Sequence, residues 1–339
     1  MSSLYIHIPF CKSKCPYCDF YSLADTDLQE AYVSRCVEIL QSRPEAWRTA
    51  YIGGGTPSVL SPALLKKLLG ALQTAPGAEV TIECNPTSVT RAFCEAIAGG
   101  GVNRVSMGLQ SAVPQERRAL GRAGNLETAT QAIDMLGVEN LSLDVMLGIP
   151  YQTPQSLETT LDFCARYAKH ISAYLLKLEP GTRFYANPPP GLPDEDAQAA
   201  LYLHACDWLE GHGYAQYEIS NFALPGYESR HNLHYWRCGE YFAIGPGAHG
   251  FTQGRRWHYA RDLGAFLRGE GPIDDGPGGD CEERAMLALR LAEGIARPTD
   301  AMRKRAGGLD GYVILDEKGL RLTREGFLLS NTIIGRLLS

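Results

Sequence analysis

The sequence predicts an α/β protein with a parallel sheet at its core, because strand-like segments alternate with helical patterns along its first half. We interpret as strands the apolar segments 4–8, 49–52, 79–83, 102–107, 141–146 and 171–176. Helical periodicity occupies residues 28–40, 62–73, 90–98, 126–136 and 154–168. Parallel strands need long crossover connections, which helices usually provide. The alternation therefore indicates repeated β/α units, arranged either as a doubly wound open sheet or as an incomplete barrel.

The second half of the chain departs from this alternation after a proline-rich stretch that ends at Gly191. A helix is predicted over 194–209 and a strand over 217–222, and the Gly/Asp-rich stretch 269–279 is typical of a linker. The remaining residues predict a hairpin over 312–322 and an amphipathic helix over 323–338. We expect a main unit of residues 1–250 and a small α+β unit of residues 251–339.

Composition excludes some classes of function. The 38 acidic residues outnumber the 32 basic ones, and no long Lys/Arg run offers a surface for nucleic-acid phosphates. No apolar run reaches the roughly 18 residues of a membrane span. The first nine residues lack the charged segment of a signal peptide and are typical of a strand. The ten cysteines are therefore expected to be reduced thiols in the cytoplasm.

Three of the cysteines form a cluster directly after the first predicted strand. Cys11, Cys15 and Cys18 lie on one short loop, so their thiolates can converge on a single inorganic centre. A structural zinc site normally takes four ligands, and the sequence offers no second Cys or Cys/His pair. A [4Fe–4S] cluster held by three cysteines keeps one iron open for a further ligand. The sequence favours the cluster, with a zinc-binding interaction module as the alternative.

Polar and glycine residues follow the later strands. Gly53-Gly54-Gly55-Thr56-Pro57 follows the second strand, and Glu83, Gln110 and Asp144 stand at or near the ends of the next ones, with Arg122 in a following segment. In a parallel α/β sheet, the carboxyl ends of the strands form the working edge. A carboxylate, an amide and a guanidinium suit an ammonium, ribose hydroxyls and a carboxylate respectively. The pattern predicts a site for a polar ligand beside the cysteines.

The Cys-x₃-Cys-x₂-Cys loop, with Tyr17 before the last cysteine, resembles the signature of the radical S-adenosylmethionine family. This resemblance implies a partial, TIM-like (β/α)₆ barrel, and a [4Fe–4S] cluster on Cys11, Cys15 and Cys18 whose open iron binds S-adenosylmethionine. One-electron reduction would then cleave the sulfonium. The resemblance also implies that the nucleotide contacts Tyr5, Tyr17, Gly54, Gly55, Thr56, Glu83, Gln110, Arg122 and Asp144. Among them, Glu83 would bind the ammonium, Arg122 the carboxylate and Asp144 the ribose.

Within that family, the chain resembles the coproporphyrinogen dehydrogenase group from end to end. The dehydrogenase branch has a fourth cysteine shortly after the third, whereas here Cys18 is followed by Asp19 and Phe20. A second branch, of heme chaperones, has phenylalanine at that point and a His-Asn-x-x-Tyr-Trp motif, which this chain carries at 231–236. One departure is Gly124, where the resembled proteins commonly have histidine.

The motif at 231–236 implies a heme site. An imidazole is a natural axial ligand of heme iron, and aromatic rings can pack on a porphyrin face. The resemblance therefore implies that His231, Tyr235 and Trp236 bind heme, with His234 and His249 as further candidates for the ligand. The alternative is that His231 and Trp236 only pack in the protein core.

These expectations describe a heme chaperone that transfers heme to acceptor heme proteins, including respiratory enzymes reached by peripheral contact with the membrane. It would need a one-electron donor, and a homodimer is compatible with the sequence. The alternative is oxygen-independent oxidation of coproporphyrinogen III to protoporphyrinogen IX. The sequence alone leaves open whether the chain is an enzyme.

Overall fold

A computed structural model describes residues 3–43 and 45–339 of the chain. Its main feature is one 12-stranded sheet, with the strand order β12-β11-β10-β9-β1-β2-β3-β4-β5-β6-β8-β7. The strands of this sheet are β1 (Ser3–Ile8), β2 (Trp47–Gly54), β3 (Thr74–Cys84), β4 (Arg104–Gln110), β5 (Asn140–Leu147), β6 (His170–Leu175), β7 (Ala215–Glu218), β8 (Asn221–Ala223), β9 (Tyr241–Ile244), β10 (His249–Thr252), β11 (Arg255–His258) and β12 (Ile273–Pro277). A separate two-stranded sheet pairs β13 (Val313–Asp316) with β14 (Gly319–Leu322).

Helices connect these strands and follow them. They are α1 (Gln29–Gln41), α2 (Pro62–Gly70), α3 (Arg91–Gly99), α4 (Pro114–Ala119), α5 (Leu126–Leu136), α6 (Pro154–Tyr167), α7 (Arg183–Ala186), α8 (Glu195–Gly211), α9 (Arg230–Trp236), α10 (Leu263–Leu267), α11 (Cys281–Ala288), α12 (Asp300–Ala306), α13 (Arg324–Leu328) and α14 (Ser330–Leu338). Side chains define several starts: Asn125 and Thr153 each form a capping box, at α5 and α6. Gly137 ends α5 in the left-handed conformation.

The predicted parallel sheet with crossover helices is confirmed. Strands β1 to β6 pair in chain order, each parallel to the next. Both faces of these strands are covered, so they consist largely of buried residues, as in β1, where Leu4, Ile6 and Ile8 are fully buried. The sheet has β12 at one edge and β7 at the other, and is an open, partial barrel. Short strands extend it: β9 pairs in parallel with β1, and the remaining pairs at both edges are antiparallel.

Some predicted elements of the second half were wrong in detail. The predicted linker 269–279 contains β12, which pairs with β11. The predicted strand 217–222 is interrupted, because β7 and β8 form an antiparallel pair. The predicted helix 323–338 is divided at Leu329, which ends α13 and precedes α14. Residue 250, where we predicted the division between the two units, lies within β10, which pairs with β9 and β11, and the division itself stays a prediction.

The first turn of the short helix α9 is hydrogen-bonded to a side chain of strand β3. The backbone N–H groups of Arg230 and His231 each donate to the Glu79 carboxylate at 3.0 Å, and Glu79 is only 5% exposed. The first N–H groups of a helix have no partner within the helix, and a carboxylate there also matches the helix dipole. A residue of the sheet therefore anchors α9. In the part of the chain that the structure describes, no helix has the length and apolar character to cross a membrane.

Replacing Glu79 with alanine is expected to lower the free energy of unfolding by about 2 kcal/mol, because two buried N–H donors lose their acceptor. Urea unfolding followed by circular dichroism measures this change. The exposed Glu95 of α3 provides the matched control, and Glu95→Ala should change the free energy of unfolding by less than about 0.5 kcal/mol. Equal effects of the two substitutions would contradict the anchoring role of Glu79.

Candidate functional site

A cavity of about 470 Å³ opens at the carboxyl edge of the parallel strands. It is of the size that small-molecule sites commonly have. The structure brings nearly all of the predicted cluster and nucleotide residues to this cavity. Those that line it are Cys11, Cys15, Cys18, Tyr17, Gly54, Gly55, Thr56, Glu83, Gln110, Arg122 and Asp144.

The three clustered cysteines differ from most others of the chain in their surroundings. Cys11, Cys15 and Cys18 are unpaired thiols on the cavity wall and are partly exposed, whereas Cys36 and Cys164, for example, are buried in the core. The ends of the cysteine loop are closed by backbone hydrogen bonds between Pro9, Cys11 and Leu23, at 2.8 and 2.9 Å. The loop therefore presents three sulfur ligands to one space.

Polar groups surround these sulfur atoms. The Sγ of Cys11 lies 3.4 Å from the hydroxyl of Thr56, and Nη1 of Arg122 donates to the Sγ of Cys15 at 3.6 Å. Burial raises the pKa of Cys18, and the neighbouring Cys15 and Cys11 raise it further. A cation among the ligands would offset this cost, because thiolate ligands lose their protons on metal binding. Three soft sulfur donors beside an open cavity fit an iron–sulfur cluster with one open iron.

The glycine turn after β2 is required by close contacts. Gly54 has a φ of 105°, and a Cβ there would lie 2.5 Å from the ring of His7. A Cβ on Gly55 would lie 2.7 Å from the carbonyl oxygen of Phe10. Only glycine fits at these two positions, and the backbone can then approach a ligand closely. The glycine run is thus a structural requirement of the cavity wall.

The Glu83 carboxylate lies on the wall of the cavity and is half-buried. Its oxygens accept hydrogen bonds from the Tyr51 hydroxyl at 2.7 Å and from the Gly54 N–H at 3.1 Å. Burial raises the pKa of Glu83 to about 7, and the nearby Asp144 raises it as well. Burial also raises the pKa of Asp144, which accepts from the Ser106 hydroxyl at 3.0 Å. Two such carboxyl groups favour a ligand that brings positive charge.

Gln110 and Arg122 also line the cavity, and Arg122 lies beside the cysteine loop. Gln110 has a φ of 71°, which is uncommon for a residue other than glycine and carries backbone strain of about 1–3 kcal/mol. Arg122 donates to the carbonyl of Gly108 in addition to its contact with Cys15. Gly124 has a φ of 76°, and a Cβ there would meet Thr87 at 2.8 Å. A histidine at position 124 would therefore be strained in this chain.

Tyr5 does not line the cavity. Its hydroxyl is 3.0 Å from Nδ1 of His7, and its ring lies beside that of Tyr51. Its predicted contact with the nucleotide stays a prediction. The sequence reasoning missed other residues that line the cavity, including Tyr51, Ser106, Tyr174, Lys177 and Glu179. The rule that functional residues follow strand ends would have found Lys177 and Glu179, which come directly after β6.

The imidazole of His231 lies in the core of the protein rather than on a cavity. The residue is 1% exposed, and its Nδ1 and Nε2 lie 2.7 Å from the hydroxyls of Thr49 and Tyr235 respectively. Its ring stacks on that of Tyr51, with the centroids 5.2 Å apart. Both ring nitrogens are thus occupied, and a role as iron ligand stays a prediction that requires one of these two hydrogen bonds to break.

The other two residues of the predicted heme motif line a second cavity, of about 570 Å³. Tyr235 and Trp236 belong to its wall, and Tyr174 lines both cavities. The remaining residues of the wall are Glu218, Ile219, Ser220, Asn221, Asn232, Tyr241, Arg256, Leu287 and Arg290. The motif therefore forms part of a space that adjoins the cysteine cavity.

Neither of the other candidate histidines lies on the two cavities. Nε2 of His234 is 2.7 Å from the carbonyl oxygen of Glu240. His249 is exposed and stacks on His258, with the ring centroids 5.1 Å apart. His249, His258 and Asp275 each offer a ligand atom, and these atoms lie within 4.8 Å of one another. This exposed group is separate from the motif at 231–236.

Comparisons with known proteins agree with this geometry. Residues 5–164 match the Radical SAM superfamily. The chain is 35% identical to a heme chaperone HemW of Lactococcus lactis, over 87% of this chain and 83% of the relative. It is 34% identical to the HemW of Bacillus subtilis, over 100% and 99%, and 39% identical to that of Escherichia coli, over 79% and 76%. Coproporphyrinogen III oxidase (HemN) from Escherichia coli shares the fold, with a TM-score of 0.84 and 20% identity over 99% and 90%.

The raised pKa of Glu83 predicts how stability depends on pH. Between pH 4.5 and about 7 the folded chain keeps the proton of Glu83 while the unfolded chain releases it, so the free energy of unfolding should fall as the pH rises. The fall should be about 2 kcal/mol for a partly exposed carboxyl group. Glu83→Gln cannot ionise and should lose this part of the dependence. Urea unfolding of both proteins between pH 4.5 and 8 tests this, and parallel curves would contradict it.

Proposed function

The chain belongs to the HemW family of the radical S-adenosylmethionine superfamily, and from this premise we propose that it is a heme chaperone. In this proposal it binds a [4Fe–4S] cluster, S-adenosylmethionine and heme, and it passes heme to acceptor proteins. The observation that carries the proposal is the pair of adjoining cavities. One is lined by three thiols, and the other is lined by Tyr235 and Trp236.

Cys11, Cys15 and Cys18 would hold the cluster, since their thiols face one cavity. When bound, the cluster would supply one electron to the sulfonium of S-adenosylmethionine, a reaction that belongs to the cofactor. The Arg122 guanidinium lies against Cys15 and would attract the negative charge of the thiolates. Phe10, at the start of this loop, is fully buried in the core.

The residues of the first cavity suit the parts of S-adenosylmethionine. Glu83 would bind the ammonium group, because its carboxyl group forms no salt bridge among the described residues and binding of the ammonium would release its proton. Arg122 would bind the carboxylate, and Asp144 the ribose hydroxyls. Tyr17, Gly54, Gly55, Thr56 and Gln110 line the same cavity and would complete the site, with Tyr5 as a further contact.

The second cavity suits heme. The rings of Tyr235 and Trp236 provide aromatic surface against which a porphyrin can pack. Arg256 and Arg290 belong to the same wall, and guanidinium groups suit the propionates of heme. Nε2 of His231 lies 2.7 Å from the Tyr235 hydroxyl, and His231 belongs to the heme site in this proposal.

Transfer requires partners outside the chain. We expect a one-electron donor for the cluster, and acceptors that include heme enzymes of the respiratory membrane. Contact with that membrane would be peripheral, and two copies of the chain would form a dimer when heme is bound. The likeness to HemN supports a second candidate function, the oxygen-independent oxidation of coproporphyrinogen III. The residue pair Asp19 and Phe20 argues against it, because the fourth cysteine of the dehydrogenase branch is absent from this position.

Anaerobically reconstituted protein is expected to contain about four irons and four acid-labile sulfides per chain. Cys18→Ser should lose most of this iron, because one of three ligands is removed. Cys281→Ser is the matched control, since Cys281 is an exposed thiol on α11, and it should keep the full content. Zinc without labile sulfide in the wild-type protein would instead support a zinc-binding interaction module.

Two assays on one cluster-loaded preparation decide between chaperone and dehydrogenase. We expect saturable binding of hemin, followed by its transfer to membranes that carry heme-free respiratory enzymes. With coproporphyrinogen III, S-adenosylmethionine and a reductant, we expect no decarboxylated product, because no fourth cysteine is present beside Cys18. Protoporphyrinogen IX formed over many turnovers, without hemin transfer, would establish the dehydrogenase function instead.

A further inference from the structure

Two imidazoles and a carboxylate meet on the outer strands of the sheet, away from the cysteine loop. His249 of β10 is the register partner of His258 of β11, and their rings stack with the centroids 5.1 Å apart. Asp275 of β12 lies beside them, with its two carboxylate oxygens 2.8 and 3.0 Å from Nδ1 of His258. One ligand atom from each residue lies within 4.8 Å of the other two. Three neighbouring strands thus bring three metal-ligating side chains to one point.

The spacing of these atoms is close to that of a zinc site. Zn²⁺ binds imidazole nitrogen and carboxylate oxygen at about 2.0–2.2 Å, so the ligand atoms of a tetrahedral site lie about 3.3 Å apart. His258 and Asp275 already approach each other within this distance. His249 is exposed, so its imidazole can turn toward the other two ligands without displacing residues of the core. The side chains can therefore close around an ion while the strands stay in place.

The backbone of the outer strands gives Asp275 a partner different from that of its neighbour. Asp274 accepts from Nε of Arg255 at 3.1 Å, whereas Asp275 contacts the imidazole of His258. The register of β11 and β12 shifts beside these residues, and such irregularities often redirect a side chain toward a functional site. Ligands on paired strands are also held more precisely than ligands on loops.

We propose that His249, His258 and Asp275 bind one Zn²⁺ ion, at a site separate from the cysteine cavity and from the second cavity. Three protein ligands keep a fourth position of the ion open for water or a further ligand. Two imidazoles disfavour Mg²⁺ and Ca²⁺, which take oxygen ligands. Because β12 is the outermost strand and pairs with β11, the ion would connect it to β10 as well. This assignment gives His249 a role other than heme ligation and does not depend on the proposed function.

Zinc uptake by cluster-loaded protein under anaerobic conditions tests the proposal. After dialysis against Zn²⁺, the wild type should hold about one zinc per chain besides its iron, measured by inductively coupled plasma mass spectrometry. X-ray absorption at the zinc edge should show nitrogen and oxygen ligands at about 2.0–2.2 Å and no sulfur at about 2.3 Å. His249→Ala, His258→Ala and Asp275→Asn should each lower the zinc affinity by more than about tenfold, since even outer partners of metal ligands are worth that much.

Two matched variants keep all three ligands. Asp274→Asn changes the adjacent carboxylate of the same strand. His204→Ala removes an imidazole that lies 2.9 Å from a carboxylate oxygen of Glu158 but, among the described residues, belongs to no such group of three. Both variants should bind zinc with the affinity of the wild type. Zinc should also raise the melting temperature of the wild type and of these controls but not that of His258→Ala, because only the folded chain brings the ligands together.

The iron and sulfide content of each variant shows that its fold is intact, and Asp275→Asn, which keeps the shape of the side chain, replaces any alanine variant that does not fold. Wild-type zinc affinity in His258→Ala and Asp275→Asn would overturn the proposal. Zinc bound through sulfur, with a matching loss of iron, would also overturn it and would place the ion on the cysteine loop. Loss of hemin binding in His249→Ala, without zinc uptake by the wild type, would assign this imidazole to heme instead. Failure of the proposed heme function leaves the zinc measurements unchanged, so the two failures are distinguishable.

Discussion

The parallel register of β1, β2 and β3 is the constraint on which both cavities depend. Ser3 pairs with Thr49, and Thr49 pairs with Glu79, so these three polar residues form a row across the amino-terminal part of the strands. The same register sets Ile8 beside Gly54 at the carboxyl edge, where the cysteine loop begins. Along β1 the two levels are about 16 Å apart, at roughly 3.3 Å per residue. One alignment of strands therefore places the thiols at one level and the heme motif at the other.

The buried row explains why a helix as short as α9 can carry a binding motif. Seven residues are too few for a stable isolated helix, so its position must come from tertiary contacts. Glu79 accepts from its first N–H groups, and Thr49, held by Ser3, fixes the imidazole of His231. Because contacts with the sheet fix the first turn of α9, its last turn places Tyr235 and Trp236 on the wall of the second cavity.

Local patterns predicted the first site well and the second only as a motif. The cysteine spacing, the glycine turn and the polar residues at strand ends identified ten residues that line the first cavity, and the family resemblance added Tyr17. The partners of His231 could not be predicted, because Thr49 is 182 residues away in the sequence and only the sheet register brings them together. The Gly/Asp-rich composition of 269–279 wrongly predicted a linker. The segment contains the edge strand β12, and an edge strand with a register shift against its neighbour β11 tolerates glycine, proline and aspartate. The break at Leu329 follows the short helix α13, which contains Gly326.

A continuous series of contacts connects the two cavities through the sheet. The Glu83 carboxylate accepts from Tyr51, the Tyr51 ring stacks on His231, and Nε2 of His231 lies 2.7 Å from the Tyr235 hydroxyl. The negative charge of Glu83 contributes to the raised pKa of the Tyr51 hydroxyl. A change of charge on Glu83 therefore acts on Tyr51, whose ring contacts the imidazole of His231. A cation bound by Glu83 would neutralise that charge and so lower the pKa of the Tyr51 hydroxyl. The stack then offers a physical connection by which occupation of the nucleotide site changes the environment of His231 and, through it, of Tyr235.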